Sequence, residues 1–131
     1  MDSFMMLERC AAAGEGEWMN KLAETLESRL TDGSGVYVSA GGNSRRCFDE
    51  LAEDIRRNAC QPFELSAVVM APGIPGFDEG EEISGLCVAK EGGRWLVYRP
   101  EDDLFYAFWG PGAGHLGAHG VFGSPLYCWS A

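Results

Sequence analysis

The sequence predicts an α+β domain of two layers, with N-terminal helices packed on one face of a mostly antiparallel β-sheet that ends in a C-terminal meander. Three observations predict it. Apolar residues in the first half recur at helical intervals. Short runs with period two, separated by tight turns, fill the second half. No linker, repeat or low-complexity stretch divides the chain, so residues 1–131 read as one domain.

A first helix is expected over residues 2–13, capped by Asp2 or Ser3, with Phe4, Leu7 and Ala11 on one side. Gly14 and Gly16 are expected to interrupt it. A second helix then runs from about Glu17 to Leu30, with Trp18, Leu22, Leu26 and Leu30 in one stripe. VYVSA (36–40) alternates like a half-buried strand, and GGNS turns the chain into the clearest helix, Ser44 to Ala59. Phe48, Leu51, Ala52, Ile55 and Ala59 form its apolar face, and Arg46–Glu50 and Glu53–Arg57 pair at i, i+4 on the other.

FELSAVVMA (63–71) is the next expected strand, followed by an acidic loop broken by proline and glycine, Pro72 to Glu82. ISGLCVAK (83–90), RWLVYR (94–99) and LFYAFW (104–109) follow, joined by EGG and PEDD, turns short enough for antiparallel neighbours. A glycine-rich stretch, GPGAGHLGAHG (110–120), leads to a last short strand, PLYCWSA, at the end of the chain.

A composition that is 46% hydrophobic and 11% aromatic excludes a disordered chain. Twenty acidic against ten basic residues give a formal charge of −10. That field repels phosphate backbones and anionic headgroups, so direct nucleic-acid binding and membrane binding are not expected, and a basic protein is the natural partner. The amino terminus has neither the basic start nor the apolar run of a secretory signal. Cys10, Cys47, Cys60, Cys87 and Cys128 are odd in number and include no C-x-x-C pair, as in a cytoplasmic protein with reduced thiols.

His115 and His119 are the only histidines. Their spacing would suit a metal on a helix, but the surrounding glycines disfavour a helix and only Cys128 stands near as a third ligand, so no metal or cofactor is expected. They read instead as loop residues on a surface that binds. No G-x-S-x-G elbow occurs, and scattered cysteines behave as small buried hydrophobes, so no catalytic residue is assigned. SAGGNSRR offers a helix start with Arg45 and Arg46 that could hold an anion, yet neither nucleotide-binding fingerprint is complete, and Asn43 or Ser44 reads more simply as an N-cap.

Two acidic clusters remain, Asp78, Glu79, Glu81, Glu82 and Glu101, Asp102, Asp103. Neither has calcium-loop spacing; each alone is a solvated turn, and together they could line one edge of a binding surface. The meander carries Trp95, Tyr98, Phe105, Tyr106, Phe108 and Trp109, more aromatics than alternation can place under one layer of helices. Some are therefore expected to be exposed or covered by the glycine loop, with Trp95, Tyr106 and Trp109 as interface anchors.

The run GLCVAKEGGRWLVYRPEDDLFYAFWG, residues 85–110, resembles the strand–turn–strand meander of small bacterial immunity proteins of toxin systems, including those of the SUKH type. The resemblance implies a partner-specific strand surface without catalysis. The leading expectation is a non-enzymatic protein-binding domain, an immunity protein or inhibitor of a basic toxin. The alternatives are a cytoplasmic adaptor or secretion chaperone, and a small enzyme using His115 and His119.

Overall fold

The computed structural model describes residues 8–33, Val36 and residues 44–131. The expected start of the first helix, with Phe4 and Leu7, lies outside the described residues, as do the body of the expected 36–40 strand and the glycine turn with Asn43. Two helices, five strands and a short helix follow in order: α1 (Glu8–Arg29), α2 (Ser44–Arg57), β1 (Ala59–Val69), β2 (Glu82–Glu91), β3 (Arg94–Arg99), β4 (Leu104–Trp109), β5 (Gly117–Gly123) and α3 (Pro125–Ser130). This is the α+β composition that the sequence predicts.

α1 runs unbroken through Gly14 and Gly16, where the sequence suggested two helices. An interior glycine costs only about 1 kcal/mol relative to alanine, whereas restarting a helix requires a new nucleus. PLYCWSA is helical rather than extended. Ser124 caps α3 by accepting the Tyr127 amide, and Pro125 occupies a first-turn position where a missing N–H costs nothing. The apolar run disguised a Ser-Pro helix start.

β1 to β5 form an up-and-down meander with each neighbour antiparallel. Five alternating strands leave the first and last pointing the same way. The sheet accordingly closes through a parallel contact, Val68 with Gly117 and Val69 with Ala118, into a five-stranded barrel. Closure gives the sheet two buried surfaces. Leu65, Ala67, Val69, Ile83, Cys87, Trp95, Val97, Tyr106, Phe108 and Ala118 belong to the cluster inside the barrel, with Ile74 and Leu116 added from loops. On the outer wall, Val88, Leu96, Phe105 and Ala107 meet Leu22, Leu26 and Leu30 of α1, Ala52 and Ile55 of α2, and Leu126, Cys128 and Trp129 of α3. A bulge between Cys87 and Ala89 shifts the parity of β2, which lets both Val88 and Ala89 join the outer cluster.

Polar contacts pin the helices to the barrel. Trp129 is buried; its indole N–H donates to Asp54 Oδ2 at 2.7 Å, and its ring lies 4.1 Å from the Arg94 guanidinium. Arg94 also donates to the Trp129 carbonyl at 2.6 Å and to Asp54 at 3.3 Å, so one strand residue joins α2 to α3. Arg56 forks onto Glu27 at 3.0 and 3.1 Å, joining α2 to α1. Among the described residues, no helix is long and apolar enough to cross a membrane.

Trp129→Phe is expected to cost about 1.5–3 kcal/mol by removing a bond to a charged acceptor. Trp129→Ala, which also empties the packed site, is expected to cost about 3–5 kcal/mol. Urea unfolding at neutral pH measures both.

Candidate functional site

The helices pack on one side of the barrel and reach Val121 of β5 and the start of β1, whereas Val68 and Met70 stand exposed beyond them. Because Leu65, Ala67 and Val69 face inward, Glu64, Ser66 and Val68 face outward, opposite Leu86, Ser84 and Glu82 of β2. Ser66 and Ser84 share a hydrogen bond at 2.7 Å across the two strands. Val68 and Met70, both large and apolar, are 39% and 43% exposed and adjoin one another on this wall.

β5 extends this wall. The Val68 and Met70 amides donate to the carbonyls of Leu116 and Ala118. Gly117 leaves the strand bare where two side chains cross it: a Cβ there would lie 2.9 Å from His119 Nε2 and 3.2 Å from Met70 Cγ. His119 in turn stands edge-on to Trp109, with ring centroids 5.8 Å apart. Trp109, His119, Met70 and Val68 thus follow one another across the outside of the barrel.

Carboxylates border this strip. A hollow of about 370 Å³ beside β1 is lined by Glu64, Ser66, Val68 and Glu82 and by Ala113 and Gly114 of the glycine-rich loop. A second, of about 260 Å³, is lined by Glu64, Ser84, Leu86 and Glu101, which puts Glu64 on both. The acidic loop after β1 is hooked to the strand end: the Gly80 amide donates to the Val69 carbonyl and the Val69 amide to the Glu81 carbonyl, each at 2.8 Å. The Asp78 amide donates to the Glu81 carboxylate, and Asp78, Glu79, Glu81 and Glu82 are all exposed. From Asn58 to Ala89 the chain has five carboxylates and no Lys or Arg.

The other sequence-selected residues fall elsewhere. Trp95 and Tyr106, expected as anchors, are 8% and 3% exposed inside the barrel. Barrel closure supplies the second buried surface that an open two-layer sheet lacks, so these aromatics hold the interior together. Trp95 donates its indole N–H to the Gly110 carbonyl at 3.1 Å and so fixes the start of the glycine loop.

Asp102 and Asp103 are likewise engaged within the fold. Asp103 adopts a left-handed φ of 59° and receives both oxygen contacts from Arg29 of α1, at 2.9 and 2.8 Å, together with the Tyr98 hydroxyl. Asp102 accepts from Arg99 at 2.9 Å and from the Tyr106 hydroxyl. The Tyr98 bond and then the Arg29 guanidinium hold the Asp103 carboxyl below its ordinary range. Burial, followed by the bond to Asp103, pushes Tyr98 up to about 12. Burial and Asp102 raise Tyr106 as well.

His115 is exposed in the loop before β5, while His119 lies on the wall. Among the described residues, no three His, Cys, Asp or Glu side chains are grouped so that they could hold a metal ion. The anion-binding expectation involves Gly41, Gly42 and Asn43, which lie outside the described residues, while Arg46 pairs with Glu50 at 3.1 Å.

The sequence reading thus selected Glu82, Trp109 and His119 but missed Glu64, Val68 and Met70. Strand parity carried the signal for the missed residues: FELSAVVMA read with Leu65, Ala67 and Val69 inward places Glu64 and Val68 outward. Comparison of the chain with protein-family models, with curated proteins and with solved structures finds no match in any of the three. The functional reading therefore rests on the chemistry of this wall.

A folded pKa lowered below the unfolded value stabilises above the ordinary carboxylate range, and that contribution is lost as pH falls through the lowered value. Asp103→Asn is therefore expected to reduce stability at pH 7 and to flatten the loss of stability on acidification from about pH 4 downward. Urea midpoints of both proteins at pH 7 and in acid check this.

Proposed function

We propose that this chain is a non-enzymatic protein-binding domain that takes a basic partner on the wall of β1, β2 and β5. Within that class, the favoured role is an immunity protein or inhibitor that neutralises a basic toxin by covering it. The observation that carries the reading is the pairing of exposed Val68 and Met70 with the acidic hollow lined by Glu64 and Glu82. Apolar groups rimmed by charge of one sign suit a desolvated contact with steered approach. Charge placement adds support. Arg9, Lys21, Arg29, Arg45, Arg46, Arg56 and Arg57, seven of the ten basic residues, belong to α1 and α2, and none lies between Asn58 and Ala89. The resemblance of residues 85–110 to the immunity-protein meander points the same way. Free Cys47, Cys60, Cys87 and Cys128 suit action in the reducing cytoplasm.

In this reading Glu64 and Glu82 mainly set the rate of encounter, while Met70, a flexible and polarisable side chain, fits itself to the partner and holds it. Trp109 and His119 provide the stiff aromatic end of the same strip.

One observation favours a second reading, an adaptor or secretion chaperone holding another protein's segment. β1 pairs with β5 only at Val68 and Val69, so among the described residues the β5-facing edge of 59–67 has no partner strand. An extended segment could add to that edge as a strand.

The test is binding to the partner that co-purifies from the source cell or is encoded beside this gene. Glu64→Lys with Glu82→Lys is expected to slow association about tenfold at low salt, with the difference shrinking as salt rises. Met70→Ala is expected to speed dissociation about tenfold, on the order of 1.4 kcal/mol. Glu17→Lys, on exposed α1, should change neither. Amide protection at Glu64 and Ser66 in the complex would favour strand addition. A partner seated on the helices, or turnover of a small substrate by the isolated protein, would sink the proposal.

A further inference from the structure

We propose that Cys60 and Cys87 form a hydroperoxide-sensitive dithiol, with Cys60 as the thiol that is oxidised first and Cys87 as the thiol that closes a disulfide onto it. The two Sγ atoms lie 4.0 Å apart. They belong to neighbouring strands at the place where both ladders are irregular. Between Ala59 and Phe63 of β1 the register shifts against Ala89 and Cys87 of β2, and β2 itself bulges between Cys87 and Ala89. In a regular ladder Cys60 would lie beyond Cys87, because Phe63 is the residue opposite it; the irregularity brings the sulfurs together. A disulfide needs about 2.05 Å, a closure of about 2 Å that rotation of two side chains about Cα–Cβ can share.

The surroundings give the two thiols different tasks. Cys87 is fully buried in the barrel, and Cys60 is half-buried. Cys60 lines a hollow of about 110 Å³ between α1 and the start of β1, walled by Met19, Leu22, Leu26, Pro62 and Val88. Since a water molecule occupies about 30 Å³ in the liquid, a small hydroperoxide fits there. The hydrogen bond shared with Cys87, with the Lys90 ammonium near, draws Cys60 down to about 7, while the same bond and burial raise Cys87. Lys90 is itself placed over the rings of Phe63 and Trp95, at 5.7 and 5.3 Å. Exposure and the hollow thus make Cys60 the sulfur that an oxidant reaches and Cys87 the one buried behind it.

The chemistry balances with the hydroperoxide as oxidant. The Cys60 thiolate attacks the terminal peroxide oxygen; the S–O bond forms, the O–O bond breaks, and the departing oxyanion takes a proton from solvent. Cys60 is then a sulfenic acid. Cys87 attacks that sulfur, the S–S bond forms, the S–O bond breaks, and the hydroxide leaves as water with the Cys87 proton. Two thiols and one hydroperoxide give one disulfide, water and the alcohol, or a second water when hydrogen peroxide is used. A dithiol reductant reverses the change.

The experiment treats the reduced full chain with one equivalent of hydrogen peroxide. The expected product has lost two hydrogens in intact mass, yields a Cys60–Cys87 linked peptide on digestion, and returns to the starting mass with dithiothreitol. Iodoacetamide alkylation of Cys60 in the untreated protein should show a pH midpoint near 7, and Cys87→Ala, which removes the hydrogen bond, should move that midpoint upward and leave a dimedone-reactive sulfenic acid on Cys60 after peroxide. If Cys87→Ala does not fold, the linked peptide and the alkylation midpoint of the unaltered chain still decide. Oxygen addition without a disulfide, a link through another cysteine, or a Cys60 midpoint at or above the ordinary thiol value of about 8.5 overturns the proposal.

Discussion

Five strands that alternate in direction force the first and last to run parallel, and the barrel depends on that contact. Only Val68 with Gly117 and Val69 with Ala118 make it. The end of β1 meets the beginning of β5, so the sheet closes with a stagger that leaves most of β1 beyond the reach of β5. Closure converts a sheet with one buried face into a wall with two, which is how a meander this rich in aromatics is accommodated. Phe108 and Tyr106 fill the inside, and Phe105 and Ala107, their neighbours in the same strand, lie under the helices.

The same stagger makes the candidate surface. Where β1 and β5 join, Gly117 carries no side chain, and Met70 and His119 cross the bare strand. Arg94, Trp129 and Asp54 hold α2 and α3 to β3 on the helix-covered side. The wall keeps Val68 and Met70 in water because the contact that closes the barrel is made there by backbone.

Acidity in this protein has two uses. Glu27, Asp54, Asp102 and Asp103 are tied to arginines, and their bonds orient α1, α2 and the turn between β3 and β4. Pairs exposed to this degree contribute little stability each, and their value lies in fixing where elements meet. Glu64, Glu79 and Glu82 lie in the segment from Asn58 to Ala89, which contains no Lys or Arg. A formal charge of −10 alone does not distinguish these two groups, because the distinction is set by which arginine each carboxylate meets.

Local sequence determined the α+β class, the stripe of Leu22, Leu26 and Leu30 though not exposed Trp18, the helix starting at Ser44, which stops at Arg57 short of the expected Ala59 because Ala59 opens β1, and the strands RWLVYR and LFYAFW with the bounds they have in the fold. Those features follow from periodicity and turn chemistry, which act over a few residues. The helical ending of the chain was also written locally, in Ser124 and Pro125, but the apolar run PLYCWSA suits strand or buried helix equally and packing against α2 and β4 decides between them. Barrel closure, the inward turn of Trp95 and Tyr106, the capture of Asp103 by Arg29 and the approach of Cys60 to Cys87 were decided only by tertiary structure. Each joins residues distant in sequence, and no short-range period records which face a closed sheet will bury or which charges and sulfurs its stagger will bring together.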